Sequence, residues 1–79
     1  MRTYNIDNRG LEPPEPLVRI LDLVKQLESD DEIIALMDRE PFLLYPELER
    51  RGMEWDFEED GESFILKVRR LGSDEAAAP

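Results

Sequence analysis

The stretch MEWDFEEDGESFILKVRRL, from Met53 to Leu71, decides the fold, because apolar and polar residues alternate on both sides of an Asp-Gly dipeptide. Alternation with a period of two is typical of half-buried strands. Asp60-Gly61 is a strong signal for a two-residue hairpin turn. We therefore predict two antiparallel strands, Met53–Asp60 and Ser63–Leu71, whose acidic face looks toward solvent or a partner.

A turn at Asp60-Gly61 also predicts which residues of the two strands lie opposite each other. Apolar residues then meet apolar residues, and an acid meets a base, as stable cross-strand pairing requires. The predicted pairs are Phe57 with Phe64, Trp55 with Leu66, Met53 with Val68, Glu54 with Lys67 and Asp56 with Ile65.

Upstream of the hairpin, strand and helix patterns alternate. Tyr4 and Ile6 alternate with polar residues in a short strand between Arg2 and Asp7, and Asn8-Arg9-Gly10 follows as a turn. A helix is predicted from Glu15, because apolar residues recur at helical spacing. Its apolar stripe comprises Leu17, Ile20, Leu21, Val24 and Leu27.

A second strand and a second helix follow. Glu32–Met37 is apolar on both of its faces, which is typical of an interior strand of a parallel pair. Pro46 suits only the first turn of a helix, so the second helix begins close to Tyr45, after a turn at Glu40–Phe42. Gly52 suits the position after its end.

The predicted order is βαβαββ. Right-handed crossovers place both helices on one face of the sheet. The fold class is therefore α/β (α+β): a two-layer sandwich with a mixed four-stranded sheet and two helices on one face. Residues 1–71 form a single domain, and residues 72–79 form a disordered tail with no apolar surface to bury.

Composition narrows the function. The chain has 79 residues, no Cys, no His and a formal charge of −10. Such a charge disfavours nucleic acid as a partner, because it repels phosphate. No apolar run approaches the roughly 20 residues of a membrane span, and the N-terminal residues lack the apolar stretch of a signal peptide. We expect a cytoplasmic protein that binds neither nucleic acid nor membrane.

The chain offers no set of residues for catalysis. Its serines have no His to act as a base, and no Cys supplies a nucleophile. The run from Asp56 to Gly61 resembles the start of a calcium loop, but the twelfth position is Lys67 instead of a carboxylate. We expect no enzyme activity, no metal and no cofactor. A domain this small also has little room for a ligand cavity.

The loop Gly10–Pro16, with the sequence GLEPPEP, admits two interpretations. It is structural if Gly10 supplies a positive φ and the prolines stiffen the chain, one of them at the first position of the helix. It is functional if it forms a rigid docking edge. That edge has an apolar tip of Leu11, Pro13 and Pro14, flanked by Glu12 and Glu15.

Three motifs carry a family resemblance: GLEPPEP, Asp38-Arg39-Glu40-Pro41, and the run Leu44–Gly52. Together they resemble a cysteine-less bacterial branch of the TusA/SirA-like sulfur carriers, over about residues 5 to 70. The resemblance implies strand order 1-2-4-3 with only the last strand antiparallel. The carrier cysteine aligns with Pro13, so this chain has no thiolate with which to form a persulfide.

The resemblance implies a small non-catalytic TusA-like domain, a protein-interaction or adaptor module that has lost the sulfur-carrier cysteine. The alternative is a sulfur- or redox-linked accessory protein that acts with a bound metal or cofactor. We expect an unidentified protein partner, and a monomer or weak homodimer. The candidate interaction residues are Gly10, Leu11, Glu12, Pro13, Pro14, Glu15, Arg19, Asp38 and Arg39.

Overall fold

Two strand–helix units and a hairpin make up the chain in the computed structural model, which describes residues 2–70. The predicted βαβαββ order is confirmed. The elements are β1 (Thr3–Asp7), α1 (Glu15–Val24), β2 (Glu32–Met37), α2 (Leu44–Arg50), β3 (Met53–Asp60) and β4 (Ser63–Arg70). The tail predicted at residues 72–79 lies outside the described residues.

The four strands form one sheet in the order β1-β2-β4-β3. β1 and β2 are parallel, and β4 runs antiparallel to both of its neighbours, β2 and β3. Three strands therefore point the same way, and the last strand lies reversed between two of them. Both the strand order and the single reversed strand are as the resemblance implied.

Both helices pack on one face of the sheet, which confirms the two-layer architecture. Alternate residues of the central strands are fully buried there and meet the apolar stripes of the helices. This core includes Ile33 and Ala35 of β2, Leu66 and Val68 of β4, Ile20 and Val24 of α1, and Leu44 and Leu48 of α2. Leu27 lies beyond the end of α1 but is still buried, as its place in the stripe predicted.

No helix within residues 2–70 covers the opposite face of the sheet. Here Arg69 lies among three carboxylates, with Nη2 3.0 Å from Asp56 Oδ2 and Nε 3.3 Å from Glu54 Oε2. Its Nη1 lies 3.6 Å from Glu32 Oε2 on β2. Partly exposed ion pairs of this kind stabilise a protein by at most about 1 kcal/mol each. The acidic side of the hairpin therefore faces solvent, as predicted.

The predicted hairpin register is wrong by two residues. The turn lies at Gly61-Glu62, and Asp60 pairs with Ser63 as part of the ladder. Gly61 has a φ of +66°, and glycine at the first central position suits a type II′ turn. A turn at Asp60-Gly61 would instead demand a positive φ from Asp60, which carries a Cβ.

The shift by two residues leaves every side chain on its predicted face, because the side-chain period of a strand is two. The observed pairs include Phe57 with Leu66, Trp55 with Val68, Met53 with Arg70, Glu54 with Arg69 and Asp56 with Lys67. Phe57 and Phe64 are now diagonal neighbours whose rings stack at a centroid distance of 5.2 Å. The observed register contains two acid–base pairs, Glu54 with Arg69 and Asp56 with Lys67, whereas the predicted register contained one.

The end of α2 agrees with the sequence prediction, and the start of α1 differs from it. α2 is capped by Arg51, and Gly52 follows with a φ of +76°, as predicted. At the start of α1, Pro14 is the capping residue and Pro16 is the second helical residue, so Glu15 holds the first position predicted for a proline.

The one-sided core predicts different costs for truncating neighbouring residues of β4. We expect Leu66→Ala to lower the free energy of unfolding by about 2–5 kcal/mol, because Leu66 is fully buried under the helices. Ile65→Ala is the matched control on the uncovered face and should cost only about 1 kcal/mol. Urea denaturation of both variants measures the difference. Equal costs would contradict a sheet that is covered on one face only.

Candidate functional site

The loops after β1 and β2 meet at one edge of the sheet, because parallel neighbouring strands end at the same side. Between these loops lies a cleft of about 280 Å³. The first loop and the start of α1 contribute Leu11, Pro13, Pro14 and Leu17, and the second loop contributes Pro41, Phe42 and Leu43. The expectation that so small a domain leaves little room for a cavity is therefore corrected.

A hydrogen bond joins the two loops across the cleft. The backbone N–H of Gly10 donates to Asp38 Oδ2 at 2.6 Å. Gly10 adopts a φ of +79°, a conformation that residues with a Cβ rarely adopt. The positive φ predicted for this glycine is thus confirmed, and it lets the first loop turn its amide toward the second.

The floor of the cleft contains a buried amide side chain. Asn8 is only 2% exposed and lies beside Met37, also buried. Its Nδ2 donates to the carbonyl oxygen of Pro16 at 3.1 Å and lies 3.7 Å from the sulfur of Met37. Its Oδ1 has no hydrogen-bond partner among the described residues. A buried acceptor left without a donor costs about 1–3 kcal/mol.

The rim of the cleft exposes two large apolar side chains. Phe42 is 68% exposed and its neighbour Leu43 is 82% exposed. The Phe42 ring meets the edge of Tyr45 at a centroid distance of 6.2 Å, and Tyr45 stacks on Trp55 at 5.0 Å. Trp55 and Phe57 both pack against the core.

Tyr45 is fixed beneath this rim by a hydrogen bond. Its hydroxyl donates to Glu40 Oε2 at 2.9 Å. Burial, the hydrogen bond and the charge of Glu40 all raise the pKa of Tyr45 far above its ordinary value. The hydroxyl therefore stays protonated at any physiological pH, and it serves as a structural donor.

The start of α1 is a poor place for an anion. Helix starts bind anions through free backbone N–H groups, but Pro13, Pro14 and Pro16 carry none. The N–H of Glu15 is already bonded to the carbonyl oxygen of Glu12, at 3.0 Å. The carboxylates of Glu12 and Glu15 also repel negative charge here.

Acidic residues crowd the edge of the sheet that holds the cleft. The two loops, the first residue of α1 and the tip of the hairpin all lie at this edge. Together they carry eight carboxylates and two guanidinium groups, a net charge of −6. These residues are Glu12, Glu15, Asp38, Glu40, Glu58, Glu59, Asp60 and Glu62, with Arg9 and Arg39.

The structure brings most of the candidate residues to this cleft. Leu11, Pro13, Pro14, Asp38 and Arg39 line it, Gly10 bonds to Asp38, and the exposed residues Glu12 and Glu15 flank it. Arg19 lies elsewhere. Its Nη1 donates to the carbonyl oxygen of Asp7 at 3.2 Å, and it borders a separate groove with Ile6, Asp22 and Leu23.

Nine residues that line the cleft are absent from the predicted interaction residues, and Asn8, Phe42 and Leu43 are the most informative of them. The sequence predicts Asn8 only as part of a turn, whereas its side chain is buried against Pro16 at the start of α1 and Met37 at the end of β2. Phe42 and Leu43 carried a signal, because two large apolar residues stand side by side ahead of a helix whose apolar face they do not extend.

The sequence matches the family described as "Uncharacterized conserved protein (DUF2249)" over residues 5–70, a span that includes both loops of the cleft. The chain belongs to the DUF2249 family. Neither the curated proteins nor the solved structures gave a match. The family description names no activity, substrate or partner.

Two negative findings complete the description of this DUF2249 domain. Within residues 2–70, no three His, Cys, Asp or Glu side chains are grouped so that they could hold a metal ion. Neither described helix has the length and apolar character needed to cross a membrane.

We predict that Asp38 orders the first loop of the DUF2249 domain. Asp38→Ala removes the acceptor for the Gly10 N–H, so the Gly10 amide should exchange its hydrogen severalfold faster. The free energy of unfolding should fall by about 1–2 kcal/mol. Arg39→Ala is the matched control, because the Arg39 side chain makes no hydrogen bond or ion pair within the described residues. Unchanged Gly10 exchange in Asp38→Ala would contradict the link between the loops.

A second prediction concerns acid stability. Hydrogen bonds from the side chain and backbone of Arg9 lower the pKa of Asp7 from 3.8 to about 2. A carboxyl whose pKa is depressed on folding contributes stability that is present above its unfolded pKa, about 3.9, and is lost as the pH falls through the folded value. Asp7→Asn should therefore be less stable than wild type above about pH 5.

Urea denaturation from pH 7 to pH 2 measures this effect. The difference between wild type and Asp7→Asn should shrink between about pH 4 and pH 2. Asp30→Asn is the control, because the exposed Asp30 carboxylate makes no ion pair or hydrogen bond within the described residues. A difference that stays constant over this range would show that Arg9 does not hold the Asp7 carboxylate.

Proposed function

We propose that this DUF2249 chain is a small, non-catalytic interaction or adaptor module of the cytoplasm that binds a basic, partly apolar segment of a protein partner in its cleft. One observation carries the proposal: Phe42 and Leu43 stand 68% and 82% exposed on the rim of a cleft lined mainly by apolar side chains. Large apolar side chains that are exposed together around a groove are typical of interaction sites.

The charge of the cleft edge supports a basic partner. Eight carboxylates and two guanidinium groups lie on the loops, the start of α1 and the hairpin tip at this end of the sheet; of these, Asp38, Arg39 and Glu40 line the cleft itself. A field of one sign attracts a segment of the opposite sign and speeds its encounter. The same field repels nucleic acid and the anionic surface of a membrane. The partner segment therefore combines Lys or Arg with at least one large apolar side chain.

The resemblance to sulfur carriers adds a proposal about descent. Pro13, which aligns with the carrier cysteine, lies exposed on the wall of the cleft. We propose that this module keeps the docking edge of a carrier ancestor and has lost its thiol. Binding at the edge requires only shape and charge, whereas persulfide transfer requires a thiolate.

A peptide selection tests the proposal. A library of random 16-residue peptides on phage is selected on the wild-type domain alone, and the enriched peptides are then measured on Leu43→Asp, which places a charge on the exposed rim without touching the core. We expect enriched peptides with a net positive charge and a large apolar residue. Their affinity should fall roughly tenfold or more in Leu43→Asp, and it should weaken as salt is raised.

Two double variants separate local from overall charge. Glu12→Lys with Glu15→Lys reverses charge beside the cleft and should weaken the selected peptides strongly. Glu28→Lys with Asp30→Lys makes the same change of charge in the loop between α1 and β2, at the opposite end of the sheet, and should weaken them little. Peptides that bind wild type and Leu43→Asp equally, or a selection that enriches no basic peptide, would refute the proposed function.

A further inference from the structure

The sheet of this DUF2249 domain has two free edges. Within residues 2–70, β1 has a neighbouring strand only on the side of β2, and β3 has one only on the side of β4. A free edge presents unpaired backbone N–H and C=O groups, with which another chain can pair. We infer that the carboxylates along β3 keep it from pairing with a second copy of this chain, so that this edge is open only to a strand of opposite charge. No residue of β3 lines the cleft, so the inference does not rest on the proposed function.

The odd-numbered residues of β3 point their backbone groups away from the sheet. The two-residue turn of the hairpin closes at the pair Asp60 and Ser63. In such a turn the N–H of the last residue bonds to the C=O of the first, so this pair is a hydrogen-bonded one. Hydrogen-bonded pairs alternate along an antiparallel ladder, and the even-numbered residues of β3 therefore bond to β4. The backbone groups left for another strand include those of Trp55, Phe57 and Glu59.

A row of three carboxylates runs along the uncovered face of this edge strand. The side chains of Glu54, Asp56 and Glu58 are 49%, 65% and 56% exposed. The two bases that they contact, Lys67 and Arg69, lie on β4, one strand further into the sheet. A partner at the free edge of β3 therefore meets the carboxylates directly, with the bases behind them.

Two copies that join antiparallel along β3 bring these carboxylates together. A two-fold axis keeps the helices of both copies on the same side of the joined sheet. The acid row of one copy then faces the acid row of the other in any register that pairs most of the strand, because the side-chain period is two. When the pairing is centred on Asp56, this residue lies opposite its own copy, and Glu54 lies opposite Glu58.

The repulsion is strongest in that arrangement. These opposed residues form non-hydrogen-bonded pairs, in which side chains approach most closely. Like charges directly opposite each other destabilise a sheet, whereas opposite charges stabilise it. A strand with Lys or Arg at alternate positions therefore makes the same cross-strand pairs attractive.

The edge at β1 is protected differently. The backbone N–H of Asn8 donates to the carbonyl oxygen of Leu36 on β2, so the even-numbered residues of β1 face β2 and the odd-numbered residues face outward. One outward acceptor, the carbonyl oxygen of Asp7, already receives a hydrogen bond from Arg19 Nη1 at 3.2 Å. β1 also has only 5 residues, against 8 in β3. β3 is therefore the longer and more open edge, and its protection depends on charge.

Neutral isosteres of the three carboxylates test the inference. The edge variant combines Glu54→Gln, Asp56→Asn and Glu58→Gln. The matched control makes the same three changes in exposed loop residues, with Glu12→Gln, Glu28→Gln and Asp30→Asn. Both variants change the formal charge by three, from −10 to −7. Sedimentation in low salt, where charges are least screened, measures self-association. We expect the edge variant to dimerise roughly tenfold or more tightly than wild type, and the control to match wild type.

Hydrogen exchange shows where the copies meet. The outward amides of Trp55, Phe57 and Glu59 should exchange severalfold more slowly in the dimer of the edge variant than in wild type. An edge variant that self-associates no more than wild type would overturn the inference. So would a dimer that protects Thr3 and Asn5 instead, because its contact would lie on β1.

A charge-reversed copy supplies the strand of opposite charge. It combines Glu54→Lys, Asp56→Lys and Glu58→Lys, and it is titrated into ¹⁵N-labelled wild type. We expect the outward amides of β3 to shift, and the mixed dimer to form roughly tenfold or more tightly than wild type binds itself. A control copy with Lys at the three loop positions should not bind. If the reversed copy does not fold, the neutral edge variant decides the question alone. A folded reversed copy that leaves wild type monomeric would overturn the inference.

Discussion

Burial on a single face of the sheet is the constraint on which the rest of this structure depends. Helices of 10 and 7 residues must cover four strands. They meet the alternate residues of β2 and β4, which are the central strands of the sheet. Helices this short do not extend past the carboxyl ends of β1 and β2. The loops that follow these two strands therefore cover the core at that end. The cleft therefore lies where helical cover stops and loop cover begins.

The sequence predicted the elements and their faces well, because both depend on local periodicity. Trp55, Leu66 and Val68 face the core although the predicted register was displaced by two residues, since even displacements conserve the face. The displacement itself depends on which turn type is less strained, and the Asp-Gly dipeptide favoured the wrong one. The cleft could not be predicted, because it forms only when two loops far apart in the chain, around Asn8 and Phe42, meet in space.

The cleft combines features that are usually found apart. The start of a helix of ten residues would ordinarily attract anions, but prolines remove its donors and two glutamates oppose negative charge. What remains is an apolar wall with an acidic border. The hydrogen bond from Gly10 to Asp38 consumes one of the few free amides of the loop and uses it to fix the shape of the cleft. The segment GLEPPEP therefore fits both interpretations: it fixes the conformation of the loop, and it forms part of the exposed wall of the cleft.

The reversed central strand has a consequence for synthesis on the ribosome. β4 is the last of the described strands to emerge, yet it lies between β2 and β3. A nascent chain that stops before Ser63 therefore has no sheet beyond the β1–β2 pair, and the edge of β2, with Ile33 and Ala35, waits unpaired. Such an edge can pair with other chains. The sheet can therefore form only after the eight residues of β4 have been synthesised. A ribosome that pauses before it reaches them carries an incomplete chain that is prone to associate with other chains.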